Sequence, residues 1–280
     1  MNKKLLLVVL ILLALISTSC SKENEETTFS SNGEPIYIDY LEKPKDNTTP
    51  LDYSVLDNIR IAYGVILDNP YFKSVTTGTA ITDMVIKNKQ TIYSSKVVNG
   101  NKILFESITT SDFKNEAIQR YYNGNSVNMR YGKITSTTTA NWESEYEVYD
   151  YDYFSEKLGF TPNIMTGYII NDESILDYEI IDSNYFYTVR ITLDSSVACM
   201  NTKHEVKFNA GALDLPKYSK TELTISLNED WLPQEIIMHD IYKLKVKVGF
   251  TVNAPVDATL TEKFYYDDVE IPDEYNNIFI

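Results

Sequence analysis

The chain has 280 residues, and its 25 Lys and Arg stand against 40 Asp and Glu, which gives a formal net charge of −15 at pH 7. So acidic a protein repels phosphate backbones, which argues against a nucleic acid partner. The two Cys and two His lack the C-x2–4-C and H-x3–5-H spacing of a zinc finger, which argues against a metal cluster of that type. Because 43% of the residues are hydrophobic and only 10 are Gly and 9 Pro, collagen-like and low-complexity classes are excluded and most of the chain is expected to fold.

The first twenty residues have the outline of a secretory signal peptide. Lys3 and Lys4 precede an unbroken apolar run over residues 5–16, and small polar residues follow up to Cys20. A helix needs about 20 apolar residues to cross a bilayer, so this run is too short for a permanent transmembrane anchor.

The residues before Cys20 resemble a bacterial lipobox, in which the signal is cut before a cysteine that carries a diacylglycerol. Ser19 is the small residue directly before the cysteine, although Ser17 stands where a lipobox usually has Leu. The resemblance implies a signal peptide over residues 1–19, a lipid-modified Cys20, and an extracytoplasmic protein of the bacterial cell envelope that its acyl chains hold to a membrane. The alternative is an ordinary signal peptide with an incidental cysteine.

The mature chain divides into a tether and one domain. Residues 20–50 are polar and acidic and contain three prolines, which predicts a flexible tether behind the lipidated cysteine. Residues 51–280 are predicted to form a single β-rich binding domain.

A helix is predicted from Ser54 to Asn69, where apolar residues recur at three- and four-residue spacing. Ser54 is a suitable N-cap, with Asp57 at the third helical position, and Pro70 stops the helix. One face of this helix is apolar enough to pack against a sheet.

From Ser74 onward, short segments rich in Val, Ile, Thr and Tyr alternate with turn residues, which is typical of strands. Asn99-Gly100 and Asn123-Gly124 each predict a hairpin with a type I′ turn, in which both central residues have positive φ. Residues 113–122 fit either a strand or a helix, and the strand is favoured. The later predicted elements are a short helix over 153–158 ended by Gly159, strands over 175–181, 185–193, 221–227, 235–240, 244–252 and 259–266, and a connecting helix over 198–212.

Candidates for catalysis are few. His204 and His239 are the two side chains that could act as a general base, but the chain has no Gly-x-Ser-x-Gly elbow and no glycine-rich phosphate loop. Cys199 is left without a partner in the chain if Cys20 is acylated, and it is interpreted as a buried structural thiol. No catalytic residue is predicted, and the protein is expected not to be an enzyme.

Acidic pairs are the candidates for a metal site. Asp150 with Asp152, and Asp267 with Asp268, offer oxygen ligands, but the spacing of a calcium-binding loop is missing. A solvated acidic face explains these residues, so neither a metal nor a cofactor is predicted.

Tyrosine is unusually frequent, with 22 Tyr against 11 Phe. Tyrosine and tryptophan rings can stack on sugars or line a ligand cavity, but they are also common sheet residues. Both interpretations stay open for the aromatic residues that stand out in the sequence: Tyr146, Tyr149, Tyr151, Tyr153, Phe154, Trp142 and Trp231.

The order of elements resembles the LolA/LppX-like lipoproteins of bacterial envelopes. It comprises the lipobox, the tether, an amphipathic helix, long hairpins that include the run from Tyr121 to Asn125, and strands that continue to Tyr266. The resemblance covers roughly residues 51–270. It implies a mainly antiparallel β fold of the α+β class, an open half-barrel curled around one or two helices, with an apolar hollow for a lipid-like ligand and no catalytic residues.

The sequence also supports a hollow independently of this resemblance, because the predicted helix is too short to fill the concave face of a long sheet. The leading hypothesis is a membrane-anchored, non-enzymatic protein that binds a hydrophobic or amphipathic ligand, with the ligand-binding residues still unknown. The alternatives are a surface glycan-binding module and an envelope structural or adhesion protein.

Replacing Cys20 with Ala tests the anchor. We expect the wild-type chain to incorporate labelled palmitate and to sediment with membranes, and Cys20→Ala to lose the label and leave the membrane fraction, because the thiol at the lipobox position is removed. Cys199→Ala is the matched control and should keep both properties. An unlabelled wild-type chain, or a Cys20→Ala chain that stays with the membranes, would contradict the predicted anchor.

Overall fold

The computed structural model describes residues 38–45, 48–83, 87–112, 115–248, 250–267, 269, 271 and 275. These residues form a twelve-stranded antiparallel sheet that is not closed, with four α-helices. The predicted fold class, mainly antiparallel β with a few helices, is therefore confirmed. The predicted signal peptide and Cys20 lie outside the described residues.

The described α-helices are α1 (Val55–Asp68), α2 (Tyr151–Leu158), α3 (Ser195–Ala198) and α4 (Thr202–Ala210), and a 3-10 turn over Pro50–Asp52 precedes α1. Within the part of the chain that the structure describes, none of them combines the length and the apolarity that crossing a membrane requires. The strands are β1 (Tyr71–Asp83), β2 (Lys87–Asn99), β3 (Lys102–Thr110), β4 (Glu116–Tyr122), β5 (Ser126–Ser136), β6 (Thr139–Trp142), β7 (Glu147–Asp150), β8 (Ile175–Ile180), β9 (Tyr187–Leu193), β10 (Lys217–Leu227), β11 (Pro233–Val248) and β12 (Phe250–Tyr265).

The sheet consists of two meanders joined by one pair of strands. Its order is β6-β5-β4-β3-β2-β1-β12-β11-β10-β9-β8, and β7 pairs with β5 beside β6. Each neighbouring pair along this order is consecutive in the chain except β1 with β12, which pair from Lys73 opposite Tyr265 to Thr82 opposite Val256. The first and last long strands therefore lie side by side in the middle of the sheet.

Helix α1 lies on the concave inner face of this sheet. It starts at the predicted N-cap, where the Ser54 side chain accepts a hydrogen bond from the Asp57 amide, and it ends before Asn69 as predicted. The sheet curves around the helix, because Val127 of β5 and Val189 of β9, eight strand positions apart, belong to the same apolar core as α1.

Geometry limits how much of the inner face α1 can cover. Its 14 residues make a helix about 21 Å long, whereas eleven strands side by side span about 50 Å. Other elements must therefore cover the rest. The segment 160–168 and α4 do so, as the lining of the inner cavity shows.

A buried hydrogen-bond chain fixes α1 to the turn between β10 and β11. The Trp231 indole Nε1 donates to Asn58 Oδ1 at 2.8 Å, and Asn58 Nδ2 donates to the Pro50 carbonyl at 2.7 Å. Trp231 is 1% exposed, so its ring is not available as a sugar platform. Of the two interpretations left open for this tryptophan, the structural one is correct.

Part of the predicted tether packs on α1. Ile38 is buried, the Leu41 amide donates to the Arg60 carbonyl at 3.1 Å, and the Lys43 ammonium forms an ion pair with Asp230. Residues 38–45 are thus in contact with the domain, and a flexible tether cannot extend through them to residue 50 as predicted.

The two predicted hairpins are confirmed, but their turn type is wrong. Gly100 and Gly124 have φ of 63° and 89°, whereas Asn99 and Asn123 are not in the positive-φ region that a type I′ turn requires of both central residues. Asn99 instead pairs with Lys102 in the ladder. The Asn123 side chain turns back and accepts from the backbone amide of Ser126 at 2.8 Å.

Several other boundaries differ from those predicted. The favoured strand within residues 113–122 is confirmed as β4, and the short helix ended by Gly159 is confirmed as α2. The separate strands predicted over 235–240 and 244–252 are wrong, because β11 runs without a break through both and the chain reverses direction between Val248 and Phe250. The helix predicted over 198–212 is two helices, α3 and α4.

The outer face of the sheet is also covered at β4. The rings of Tyr121 and Tyr275 stack with centroids 5.7 Å apart, and Gln119 donates to the Tyr275 hydroxyl at 2.7 Å. Strand β4 is therefore buried on both faces, which explains its continuous run of buried residues.

The Gly64→Ala variant tests the contact between α1 and residues 38–45. A Cβ at Gly64 would lie 2.1 Å from the Leu41 carbonyl oxygen, so the segment must move away. Helix propensity alone predicts a gain of about 1 kcal/mol for this change. We expect instead a net loss in the free energy of unfolding, measured by urea denaturation, and faster trypsin cleavage after Lys45. A more stable variant with unchanged cleavage would contradict the contact.

Candidate functional site

A cavity of about 300 Å³ remains on the inner face, between the core around α1 and the far ends of the long strands. Seven strands, β1 to β4 and β10 to β12, form its walls, and the segment 160–168 and α4 close it. Much of the lining is apolar and includes Ala80, Ile92, Ile103, Phe105, Ile118, Phe160, Val206, Met238, Ala258 and Leu260.

Four buried charged residues point into this cavity from strand positions that otherwise carry mostly apolar or small side chains. They are Lys96 on β2, Arg120 on β4, Asp240 on β11 and Glu262 on β12, and each is buried. Successive side chains of a strand alternate between the two faces, so each of them shares the inner face with its neighbours two positions away. Buried charges are expensive unless they are paired, which makes their partners informative.

Each terminal nitrogen of Arg120 donates a hydrogen bond, whereas its Nε is buried without a partner among the described residues. Arg120 donates to Glu205 Oε1 at 2.9 Å and to Asn209 Oδ1 at 2.7 Å, both from α4. The rings of Phe105, Phe160 and Phe208 lie 5.1 to 5.4 Å from its guanidinium carbon. Burial alone would lower the pKa of Arg120, but Tyr122 and Glu205 favour the charged form, and the pKa is raised. Arg120 therefore holds α4 over the cavity.

Lys96 is also paired. Its ammonium lies 3.2 Å from Glu262 Oε1 on β12 and 3.3 Å from Asn163 Oδ1 in the closing segment. The Ser74 hydroxyl donates to the same Glu262 oxygen at 2.6 Å. This ion pair crosses β1 and fixes the segment 160–168 to the sheet.

Asp240 differs from these residues because it has no ion-pair partner among the described residues. The Tyr168 hydroxyl donates a short hydrogen bond to its Oδ2, whereas Oδ1 is buried without a hydrogen-bond partner. Burial raises the pKa of Asp240 to about 6, although the Tyr168 and Thr221 hydroxyls and His239 act in the opposite direction. The carboxylate is therefore a strong acceptor with one oxygen unused.

Two further tyrosines accompany Asp240. Tyr218 and Tyr242 both line the cavity, with ring centroids 4.9 Å apart, and the buried Tyr218 hydroxyl also has no hydrogen-bond partner in the described chain. A bulge at Ser219 shifts the register of β10, so that Tyr218 faces inward opposite Tyr242. Burial, and then Asp240, raise the pKa of Tyr168 and Tyr218, which keeps both phenols protonated.

The histidines and Cys199 do not form a catalytic group. His239 adjoins Asp240 on β11, and its ring contacts Asp257 Oδ1 at 3.1 Å on the opposite face of the sheet. His204 lies on α4, packed against Gly159, and is not part of the cavity lining. Burial raises the pKa of Cys199 to about 12, so this buried thiol is structural, as interpreted from the sequence.

Of the acidic pair Asp150 and Asp152, Asp150 has a structural role. Asp150 caps α2, with its Oδ1 accepting from the amides of Asp152 and Tyr153 at 3.0 and 3.2 Å. Within the described ranges no group of three or more metal-binding side chains occurs. Asp268, the second member of the other pair, lies outside them.

The surface tyrosines form a small cluster near α2. Tyr149 and Tyr153 stack with centroids 6.5 Å apart, and the Lys157 ammonium lies 5.6 and 5.3 Å from their rings. Their faces are thus partly occupied by a cation. Tyr146 likewise contacts the Arg130 guanidinium, 4.5 Å from its ring.

Sequence reasoning missed every charged residue of the cavity. The signal was present, because Asp240 interrupts the series Ile236, Met238, Tyr242 and Leu244 at two-residue spacing. Dividing β11 into two predicted strands near this aspartate hid its inward position.

Comparisons with known proteins add little. No family model matches the chain, and no curated protein matches its sequence. Among solved structures, the chain is similar to an outer membrane lipoprotein-sorting protein domain from Vibrio parahaemolyticus, with 7% identity and a TM-score of 0.24 over 74% of this chain and 90% of that one. It is also similar to a DUF1329 family protein from Desulfovibrio piger, with 13% identity and a TM-score of 0.26 over 75% of this chain and 92% of that one. Scores this low carry no argument about function.

The Asp240→Asn variant tests the electrostatics of the cavity. The folded state binds the Asp240 proton more tightly than the unfolded state, where the pKa is 3.8, so the stability that this group contributes is complete at low pH and is lost as pH rises through about 6. The amide cannot ionise. We therefore expect Asp240→Asn to be more stable than wild type by on the order of 2 kcal/mol at about pH 8, and the gap to shrink towards pH 4.

Urea denaturation at several pH values measures this difference. An Asp240→Asn variant that is less stable than wild type at about pH 8 would show that the carboxylate has a favourable partner, contrary to the geometry described above.

Proposed function

We propose that this chain is a membrane-anchored extracytoplasmic lipoprotein that binds a hydrophobic or amphipathic ligand in its half-barrel cavity and catalyses no reaction. One observation carries the ligand-binding part. The inner face of the sheet keeps a cavity of about 300 Å³, with mainly apolar walls and a few buried polar groups, which is the usual character of small-molecule sites. The membrane anchor rests on the sequence around Cys20.

The alternatives suggested by the sequence have less support. A glycan-binding surface would need free aromatic faces, but Trp231 is buried, and Lys157 lies over the rings of Tyr149 and Tyr153. Neither His204 nor His239, the two general-base candidates of the sequence, is among the residues that line the cavity.

Filling the cavity tests the proposal. Ala258 lines it from β12, and Thr259 is the next residue on the outer face, so Ala258→Phe and Thr259→Phe add the same ring to opposite sides of one strand. We expect Nile red, a neutral apolar dye, to bind wild type and Thr259→Phe alike. Its affinity for Ala258→Phe should fall at least about fivefold, because the new ring occupies the space.

Two controls accompany this experiment. Ala210→Phe, at the end of α4, fills the cavity from a more tolerant position in case Ala258→Phe does not fold. Native mass spectrometry of the purified wild-type chain shows whether a ligand is retained from the cell. Equal dye binding by all four proteins would contradict a ligand site in the cavity.

A further inference from the structure

The charges inside the cavity restrict what it can bind. This inference rests on the proposed function, since it concerns the ligand of the same cavity. We infer that the ligand is a small amphipathic cation, whose protonated amine binds the carboxylate of Asp240.

The two cations of the cavity are already neutralised. Lys96 faces Glu262 at 3.2 Å, and Arg120 faces Glu205 at 2.9 Å, each with an amide oxygen as a further acceptor. An anionic ligand would have to displace a carboxylate from one of these pairs. Arg120 Nε is buried without a hydrogen-bond partner in the described chain, so a fatty acid headgroup would find a single N–H there but no unpaired cation.

Asp240 presents the opposite case. It is 7% exposed, it has no cation partner among the described residues, and its Oδ1 accepts no hydrogen bond. Removing a charge from water without a partner is among the most costly arrangements in a folded protein. A ligand that brings an N–H donor and a positive charge removes this cost on binding, whereas an alcohol supplies only the donor.

The tyrosines around Asp240 suit an amine. Tyr168 occupies Oδ2 and so leaves Oδ1 for the ligand, while the Tyr218 hydroxyl provides a second unused oxygen. The neighbouring rings of Tyr218 and Tyr242 add π-electron density, which attracts cations. Three phenols and one carboxylate thus surround the position where the charge would lie.

The size of the cavity limits the rest of the ligand. A volume of about 300 Å³ corresponds to about ten water molecules in the liquid, so one short alkyl chain or a small ring system fits. Ala80, Ala258 and Leu260 provide apolar walls for it. The net charge of −15 further favours the approach of cations.

Three probes of matched chain length test the inference: octylamine, octanol and octanoate. Isothermal titration calorimetry with the full wild-type chain should give the tightest binding for octylamine, by about tenfold over octanol, and the weakest for octanoate. In Asp240→Asn the preference for the amine over the alcohol should disappear, while the affinity for octanol stays the same.

Two further variants separate this site from general effects. Tyr218→Phe keeps the ring but removes the unused hydroxyl, and we expect it to weaken octylamine by a few fold. Asp257→Asn makes the same change as Asp240→Asn on the outer face of the neighbouring strand and should leave all three affinities unchanged. Thermal denaturation confirms that each variant is folded.

The outcomes distinguish the inference from the proposed function. Equal binding of the three probes, or the tightest binding by octanoate, would overturn the cationic ligand but leave a hydrophobic cavity in place. An amine preference that survives in Asp240→Asn would equally overturn the role of this carboxylate. If none of the probes binds and Nile red does not bind either, the proposed function fails with it.

Discussion

The whole arrangement depends on one geometric constraint, which is that a wide sheet with an apolar face must have that face covered. Curvature brings the two halves of the sheet towards each other around α1, but a helix of 14 residues reaches across less than half of a face about 50 Å wide. The remaining area is covered by α4 and by the irregular segment 160–168. The cavity lies between these covering elements and the strands.

Ion pairs and hydrogen bonds fix the positions of α4 and the segment 160–168 on the sheet. Arg120 and Lys96 each connect the sheet to a covering element, to α4 and to the segment 160–168 respectively. Such buried pairs add little to stability compared with apolar packing, but they specify position, since breaking one leaves a charge without a partner. Asp240 is the exception in this scheme. Its unpaired oxygen makes the folded chain less stable than a partnered carboxylate would, and the ligand proposed above would supply the missing partner.

The sequence predicts the local elements of this structure better than its long-range contacts. The cap and stop of α1, the two Asn-Gly hairpins and the antiparallel character of the sheet follow from local patterns, and these were confirmed. Local patterns could not reveal that β1 pairs with β12, because that contact joins residues far apart in the chain. They also could not show that residues 38–45 pack on Gly64, since the polar composition of this segment resembles that of a linker.

The site was the least predictable part. The charged side chains of the cavity come from four different strands and one helix, so no short motif contains two of them. What the sequence does contain is the two-residue alternation of each strand, in which a single charged residue interrupts a series of apolar or small inward-facing residues. This pattern can be recognised only with the correct strand boundaries. For Tyr218 the bulge at Ser219 must also be known, because the bulge changes which residues of β10 face inward.

The pairing of β1 with β12 also has a consequence for the newly made polypeptide. Lys73 pairs with Tyr265, about 190 residues later in the chain. The edge of β1 that faces β12 therefore has no partner until the last strand has formed. Until the second meander has formed, the first one carries an open edge of thirteen residues, Tyr71–Asp83, which is able to pair with a neighbouring molecule. Because β1 and β12 are far apart in the chain, we expect their pairing to form late in folding, and aggregation through the open edge of β1 competes with folding until then. A chaperone that covers this edge would protect the incompletely folded chain.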